Sequence, residues 1–210
     1  GEFVINRDYI ENRYAAYRRH PVLVRLKMIA ADIRERLELS CGPGEPLPPV
    51  GAVFKKLTGM LKIKTALALY EDFYASSDFS DMFVTEGKSR LEWDDVFPYL
   101  YFKAAFEGLK VGGKIRHLVI DEMQDYTPAQ YAVMNILFPC RKTILGDFGQ
   151  TINPNHENTL ADLRALYPDS EFVELNKSYR STYEIIMFAK KIQNVAALEP
   201  APRHGDEPEL

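Results

Sequence analysis

The sequence predicts an α/β chain in which a helical first part gives way to a parallel sheet crossed by helices. Three observations carry this. Apolar residues recur at helical spacing before about residue 110, short apolar runs ending in polar or acidic residues follow it, and helices with recognisable caps lie between those runs. At 210 residues the chain is long enough for one sizeable core, or for one core with a small appendage.

Residues 8–19 and 22–38 read as helices separated by Pro21, and in the second Leu26, Ile29, Ile33 and Leu37 form one stripe at three-to-four spacing. Cys41-Gly42-Pro43-Gly44-Glu45-Pro46-Leu47-Pro48-Pro49 supports neither helix nor strand and is a linker or a turning point. Helical pattern resumes from Val53 to Tyr74 and stops at Ser76-Ser77-Asp78. A further helix is expected from near Asp94, with Pro98 in its permissive first turn, towards Gly108.

The period changes after Gly112-Gly113. His117-Leu118-Val119-Ile120 is a short apolar run ending in acids, as expected of a buried parallel strand. Thr127-Pro128-Ala129-Gln130 supplies an N-cap, a first-turn proline and a capping-box glutamine for a helix over 128–138. Thr143-Ile144-Leu145 repeats the strand and 159–166 the helix. Phe172-Val173-Glu174-Leu175 then precedes a helix opened by a Ser181-Thr182-Tyr183-Glu184 capping box. The expected sheet joins 116–121, 142–146 and 171–175 in parallel, with ligands at the strand ends. The Pro-rich stretch from Glu199 is expected to fray, and no internal repeat or low-complexity tract is found.

Bulk properties narrow the classes. With 46% hydrophobic and 27% charged residues, and no apolar run near the ~18 residues of a membrane span, a soluble, cytoplasmic protein without membrane contact is expected. Cys41 and Cys140 have no CxxC partner or nearby His pair, so they read as free thiols rather than a zinc site or disulfide framework. The net charge of −4 is unevenly spread, since residues 1–70 hold 12 Lys/Arg against 7 Asp/Glu and the rest holds 14 against 23. The basic part, with Arg13, Arg18, Arg19, Arg25, Lys27, Arg34 and Arg36, suits phosphate contact or simply a solvated helix face. Gly1-Glu2-Phe3-Val4 lacks an initiator Met and a leader pattern, and is expected to be an internal boundary of a longer chain.

Three segments carry chemistry. Asp121-Glu122-Met123-Gln124-Asp125 follows a strand directly, where one acid can hold Mg²⁺ and its neighbour can orient or deprotonate water. The alternative is that these acids only cap the next helix. Thr143-Ile144-Leu145-Gly146-Asp147-Phe148-Gly149-Gln150 ends a second strand in a polar amide able to reach a terminal phosphate or attacking water. The alternative is an ordinary strand exit with Gln150 solvated. Leu175-Asn176-Lys177-Ser178-Tyr179-Arg180-Ser181 offers a guanidinium fork and an aromatic ring before a helix, or only an unremarkable helix entry.

In this order and with helix-length gaps, the three segments resemble successive signature motifs of UvrD-like superfamily 1 helicases, most clearly over about 90–208. Leu91–Tyr101 and Asp125-Tyr126-Thr127-Pro128 are similar to the helicase IV-like and HelD-like members. The resemblance implies a partial RecA-like P-loop NTPase domain with a parallel sheet, preceded by a helical insertion region. It implies residues 1–90 as the insertion subdomain of the first lobe, 91–198 as the partial ATPase domain and 199–210 as a tail towards the second lobe, with Arg203-His204-Gly205-Asp206-Glu207-Pro208 resembling the entry into it. It further implies ATP and Mg²⁺ as cofactors, with Asp121 and Glu122 handling the metal and the hydrolytic water. Gln124 and Gln150 would couple nucleotide state to nucleic-acid contacts, Tyr179 would stack on adenine, and Arg180 would contact the γ-phosphate.

The sequence departs from the pattern in having no GxxxxGK[ST], since Gly112-Gly113-Lys114 and Gly42-Pro43-Gly44 both lack its frame. The expected function is therefore that of a piece of an ATP-dependent DNA helicase or translocase, inactive alone, with the rest of the chain supplying the P-loop and second lobe. Its partner is nucleic acid, most simply DNA. An RNA-polymerase-associated remodelling factor is the competing reading. A metal-dependent nuclease on Asp121, Glu122 and Asp125 is a third, which explains neither Gln150 nor Arg180.

Overall fold

The computed structural model describes residues 5–42, 45–84, 91–110, 114–147, 159–192 and 198–209. Two compact units divide the chain, one formed by Gly1–Ile120 with Tyr126–Ile144 and the other by Asp121–Asp125 with Leu145–Leu210.

The first unit begins with α1 (Arg7–Ala16), opened by the Asn6 side chain accepting the Tyr9 N–H, and α2 (Val22–Ser40), entered through Pro21. The predicted stripe of α2 is its buried face: Leu26, Ile29, Ala30 and Ile33 are buried with Leu57, while Leu37, Tyr9, Tyr14 and Phe54 pack half-buried around them. Leu57 belongs to α3 (Val50–Gly59), which starts directly after Pro48-Pro49. The single helix expected over 53–74 is two. Chain after Gly59 leaves the helix, and α4 (Ala66–Ala75) starts afresh with Thr65 Oγ1 accepting the Ala68 N–H at 3.1 Å. Glycine weakens a helix interior and threonine supplies an N-cap, so the local chemistry outweighs the continuous apolar pattern.

Tyr70 of α4 is fully buried, with the rings of Tyr74, Phe83, Tyr99 and Phe102 at 5.2–5.9 Å. Its hydroxyl donates to Asp95 Oδ1 at 2.7 Å, giving a buried carboxylate a partner just before α5 (Val96–Phe106). Pro98 sits in the first turn of α5 as expected. Gly108 closes that helix at φ 87°, and a Cβ there would meet the Pro21 ring at 3.4 Å.

β1 (His117–Ile120) and β2 (Arg141–Ile144) pair in parallel, with His117 opposite Arg141 and Ile120 opposite Ile144. Between them runs α6 (Pro128–Leu137), which carries the predicted capping box: the Gln130 N–H donates to Thr127 Oγ1 and the Thr127 N–H to Gln130 Oε1. Strand, helix and parallel strand follow one another as the sequence pattern required. Arg18 and Arg19 are exposed, and the Arg25 guanidinium donates to the carbonyls of Arg18 and His20.

The second unit holds α7 (Leu160–Leu166), β3 (Lys177–Ser178), α8 (Tyr183–Ile192) and β4 (Glu199–Pro200). Two expectations fail here. Residues 171–176 form no strand, and Val173 and Leu175 stand 73% and 87% exposed. β3 lies further on and pairs in parallel with β4. An apolar run supplies strand propensity but not a hydrogen-bonding partner, and Lys177–Ser178 has one. That partner comes from the stretch expected to fray, in which Ala201 is buried.

Candidate active site

The chain leaves β1 at Ile120 and passes at once into the acidic turn 121–125, whose Met123–Asp125 form one 3₁₀ turn. Asp121 and Glu122 are both exposed. Asp121 Oδ1 accepts the Glu122 N–H at 2.9 Å, and Glu122 takes the left-handed backbone conformation at φ 51°. A residue with a β-carbon reaches that region only at a cost of about 1–2 kcal/mol, so the surrounding bonds must hold it there.

Gln124 supplies one of them. It is buried, its Nε2 donating to Glu122 Oε2 at 2.8 Å and its Oε1 accepting the Asp147 N–H at 3.1 Å. Only this orientation of the amide satisfies both a carboxylate and a backbone donor. The Met123 N–H adds a bond to the Leu145 carbonyl at 2.9 Å. Turn 121–125 and segment 145–147 are thus stitched together, the second lying after β2 as the first lies after β1. Gly146 makes the approach possible, since a Cβ on it would stand 2.5 Å from Gln124 Oε1, Met123 Cγ and the Met123 nitrogen. No sequence motif assigns this glycine a role. Its position one residue past the strand pattern was the available signal for close backbone approach.

Among the described residues, no group of three or more His, Cys, Asp and Glu side chains gathers as a metal cluster. Two adjacent exposed carboxylates still suit Mg²⁺, which keeps several waters and commonly uses one or two protein carboxylates with substrate phosphates.

Tyr179 and Arg180 lie on an arch between β3 and α8. Tyr179 is 71% exposed, with Lys177 Nζ at 5.7 Å from its ring centre, and Arg180 is exposed as well. Among the described residues, no hydrogen bond or ion pair joins either to the acidic turn. Gln150 lies outside the described residues. The capping box expected over 181–184 does not form as predicted. α8 starts at Tyr183, and the Glu184 carboxylate instead accepts from His204 Nδ1 at 2.7 Å and the Gly205 N–H at 2.9 Å. Those two donors hold the Glu184 carboxyl well below its usual range, at about 2, with the His204 bond the larger cause.

The order of the three segments and the stitched acidic turn invite comparison with known proteins. UvrD2 of Mycobacterium tuberculosis, an ATP-dependent DNA helicase, is 26% identical over 234 aligned positions, covering 95% of this chain. Over most of its length the chain is thus similar to a UvrD-like ATP-dependent DNA helicase. Shorter matches agree: the ATP-dependent DNA helicase PcrA of Leuconostoc citreum is 31% identical over 39% of the chain, and the putative ATP-dependent DNA helicase YjcD of Bacillus subtilis 30% over 36%. No family model matches the sequence. The chain spans about a third of the length of the UvrD2 relative, and 12% and 11% of the other two. No helix among the described residues is long and apolar enough to cross a membrane.

Proposed function

We propose that this chain contributes the hydrolysis and coupling motifs of an ATP-driven DNA translocase or helicase. The observation that carries the reading is the Gln124 amide, which ties the Glu122 carboxylate to the Asp147 backbone across two segments that each follow a parallel strand. Asp121 and Glu122 would hold Mg²⁺ with its waters, and that ion would neutralise charge on the transferring phosphate. Glu122, exposed and fixed at one oxygen by Gln124, is the general base for the attacking water. Gln124 transmits changes at segment 145–147, and Gln150 would sense the terminal phosphate. Tyr179 would stack on the base and Arg180 would pair with the γ-phosphate, for which its exposed planar fork is suited.

The architecture proposed with this is RecA-like for about 91–198, with residues 1–90 as a helical insertion and 199–210 leading towards a second lobe. A phosphate-binding loop is required from elsewhere in the chain, because no GxxxxGK[ST] is present in these 210 residues. All three relatives above are named as DNA helicases, which supports DNA as the nucleic-acid partner. Nothing in the structure favours RNA polymerase as a partner.

The test pairs two measurements. Glu122→Gln in the full-length protein keeps the side chain's size but cannot take a proton, so phosphate release should fall by roughly 10²–10⁴-fold while nucleotide still binds. The 210-residue chain alone should bind ATP weakly and not turn it over. Unimpaired turnover by the variant, or tight binding with steady hydrolysis by the chain alone, would overturn the assignment.

A further inference from the structure

The arch that presents Tyr179 and Arg180 is held at both ends by one other segment, Glu199–Gly205. On the β3 side the Glu199 N–H donates to the Asn176 carbonyl at 2.6 Å and the Ala201 N–H to the Ser178 carbonyl at 3.0 Å. On the α8 side the Tyr183 N–H donates to the Arg203 carbonyl at 2.8 Å, and Glu184 binds His204 Nδ1 and the Gly205 N–H through its two oxygens. Gly205 sits so close that a Cβ there would lie 2.8 Å from Thr182 Cγ2. The His204 ring also stands 5.2 Å from that of Tyr183.

We propose that Glu184 is a positioning residue for Tyr179 and Arg180, acting through His204 and Gly205 to clasp the segment Glu199–Gly205 onto both ends of the arch. Residues 179–182 span only the gap between two anchored points, Ser178 and Tyr183, so their course is set by the spacing of those points. The spacing is in turn set by the tight turn that joins Ala201 to Arg203, in which the Arg203 N–H donates to the Ala201 carbonyl at 2.8 Å. Moving that segment moves both anchors together, and with them the ring and the guanidinium. Glu184 is suited to the role because its side chain is only 18% exposed and uses both oxygens on consecutive residues, His204 and Gly205. The proposal rests on the reading that Tyr179 and Arg180 contact nucleotide.

Two measurements test it. In the 210-residue chain, Glu184→Ala and Gly205→Ala should speed amide exchange at Tyr183 and Ala201 by at least tenfold, with the β1–β2 amides unchanged as evidence of a folded chain. Glu184→Gln, which keeps an acceptor for the Gly205 amide, should restore part of the protection. Unchanged exchange at both amides would overturn the clasp. In the full-length protein, Glu184→Ala should lower kcat/KM for ATP by roughly 10–100-fold, the scale of a small misplacement of a reacting group. It should cost nothing further in a Tyr179→Ala/Arg180→Ala background, because neither the ring nor the guanidinium is then left to position. Losses that multiply in that background would show a merely structural role. An Arg180→Ala protein with normal turnover would sink the nucleotide-contact reading and the proposal with it, whatever the exchange data show about the clasp.

Discussion

Replacing Gly146 by alanine tests the close approach on which the candidate site depends. The new methyl group would stand 2.5 Å from Gln124 Oε1, Met123 Cγ and the Met123 nitrogen. The side chains can swing away, but a backbone nitrogen cannot, and Met123 is tied to Leu145 by its own N–H. Relief therefore requires segment 145–147 to lift from turn 122–124, losing the Met123–Leu145 and Asp147–Gln124 bonds, each worth about 1 kcal/mol net. Against this, alanine restricts the unfolded chain and returns about 0.4–1 kcal/mol. Adding the strain of incomplete relief, the net loss is about 2 kcal/mol, or a Tm lower by roughly 4–8 °C for a chain of this size. Gly51→Ala is the matched control. Gly51 lies in α3 with nothing within 4 Å of its would-be Cβ, so alanine there should add about 0.5–1 kcal/mol. Paired urea and thermal unfolding give the two signs, and amide exchange at Met123 and Asp147 locates the first effect. A Gly146→Ala chain as stable as Gly51→Ala, or one whose Met123 and Asp147 amides stay protected, would refute the reasoning.

Two further expectations concern groups away from that turn. Tyr70→Phe removes the 2.7 Å bond to a buried Asp95 carboxylate and should cost about 1.5–3 kcal/mol in urea unfolding, whereas Asp95→Asn keeps an acceptor and should cost less; equal costs would contradict the pairing. Glu184 has its folded-state pKa lowered from 4.5 to about 2 by His204 and the Gly205 amide, so its stabilising contribution is complete above about pH 4.5 and is lost as pH falls towards 2. Stability measured across that window should flatten in Glu184→Gln relative to the parent chain, and identical acid limbs would remove the carboxylate from the account.

Residue order alone determined what depends on local chemistry. The stripe of α2, the Thr127–Gln130 box, the first-turn Pro98 and the parallel β1 and β2 with a helix between them all follow from side-chain period and capping. The order of the three chemical segments, and with it the resemblance to UvrD-like helicases, is likewise written in the residues alone. Elements that need a distant partner were not legible. Phe172–Leu175 looks more like a strand than Lys177–Ser178, yet only the latter meets a second strand, and that strand came from a stretch rich in proline. Glu184 fits a local capping box in sequence, but His204 and Gly205, 20 and 21 residues away, hold its carboxylate. The left-handed turn at Glu122 and the need for a hydrogen atom rather than a methyl group at Gly146 are also tertiary decisions, because both arise where two segments separated by more than 20 residues cross within hydrogen-bonding distance. Local propensity ranks the conformations each segment can adopt, and long-range bonds and steric contact choose among them.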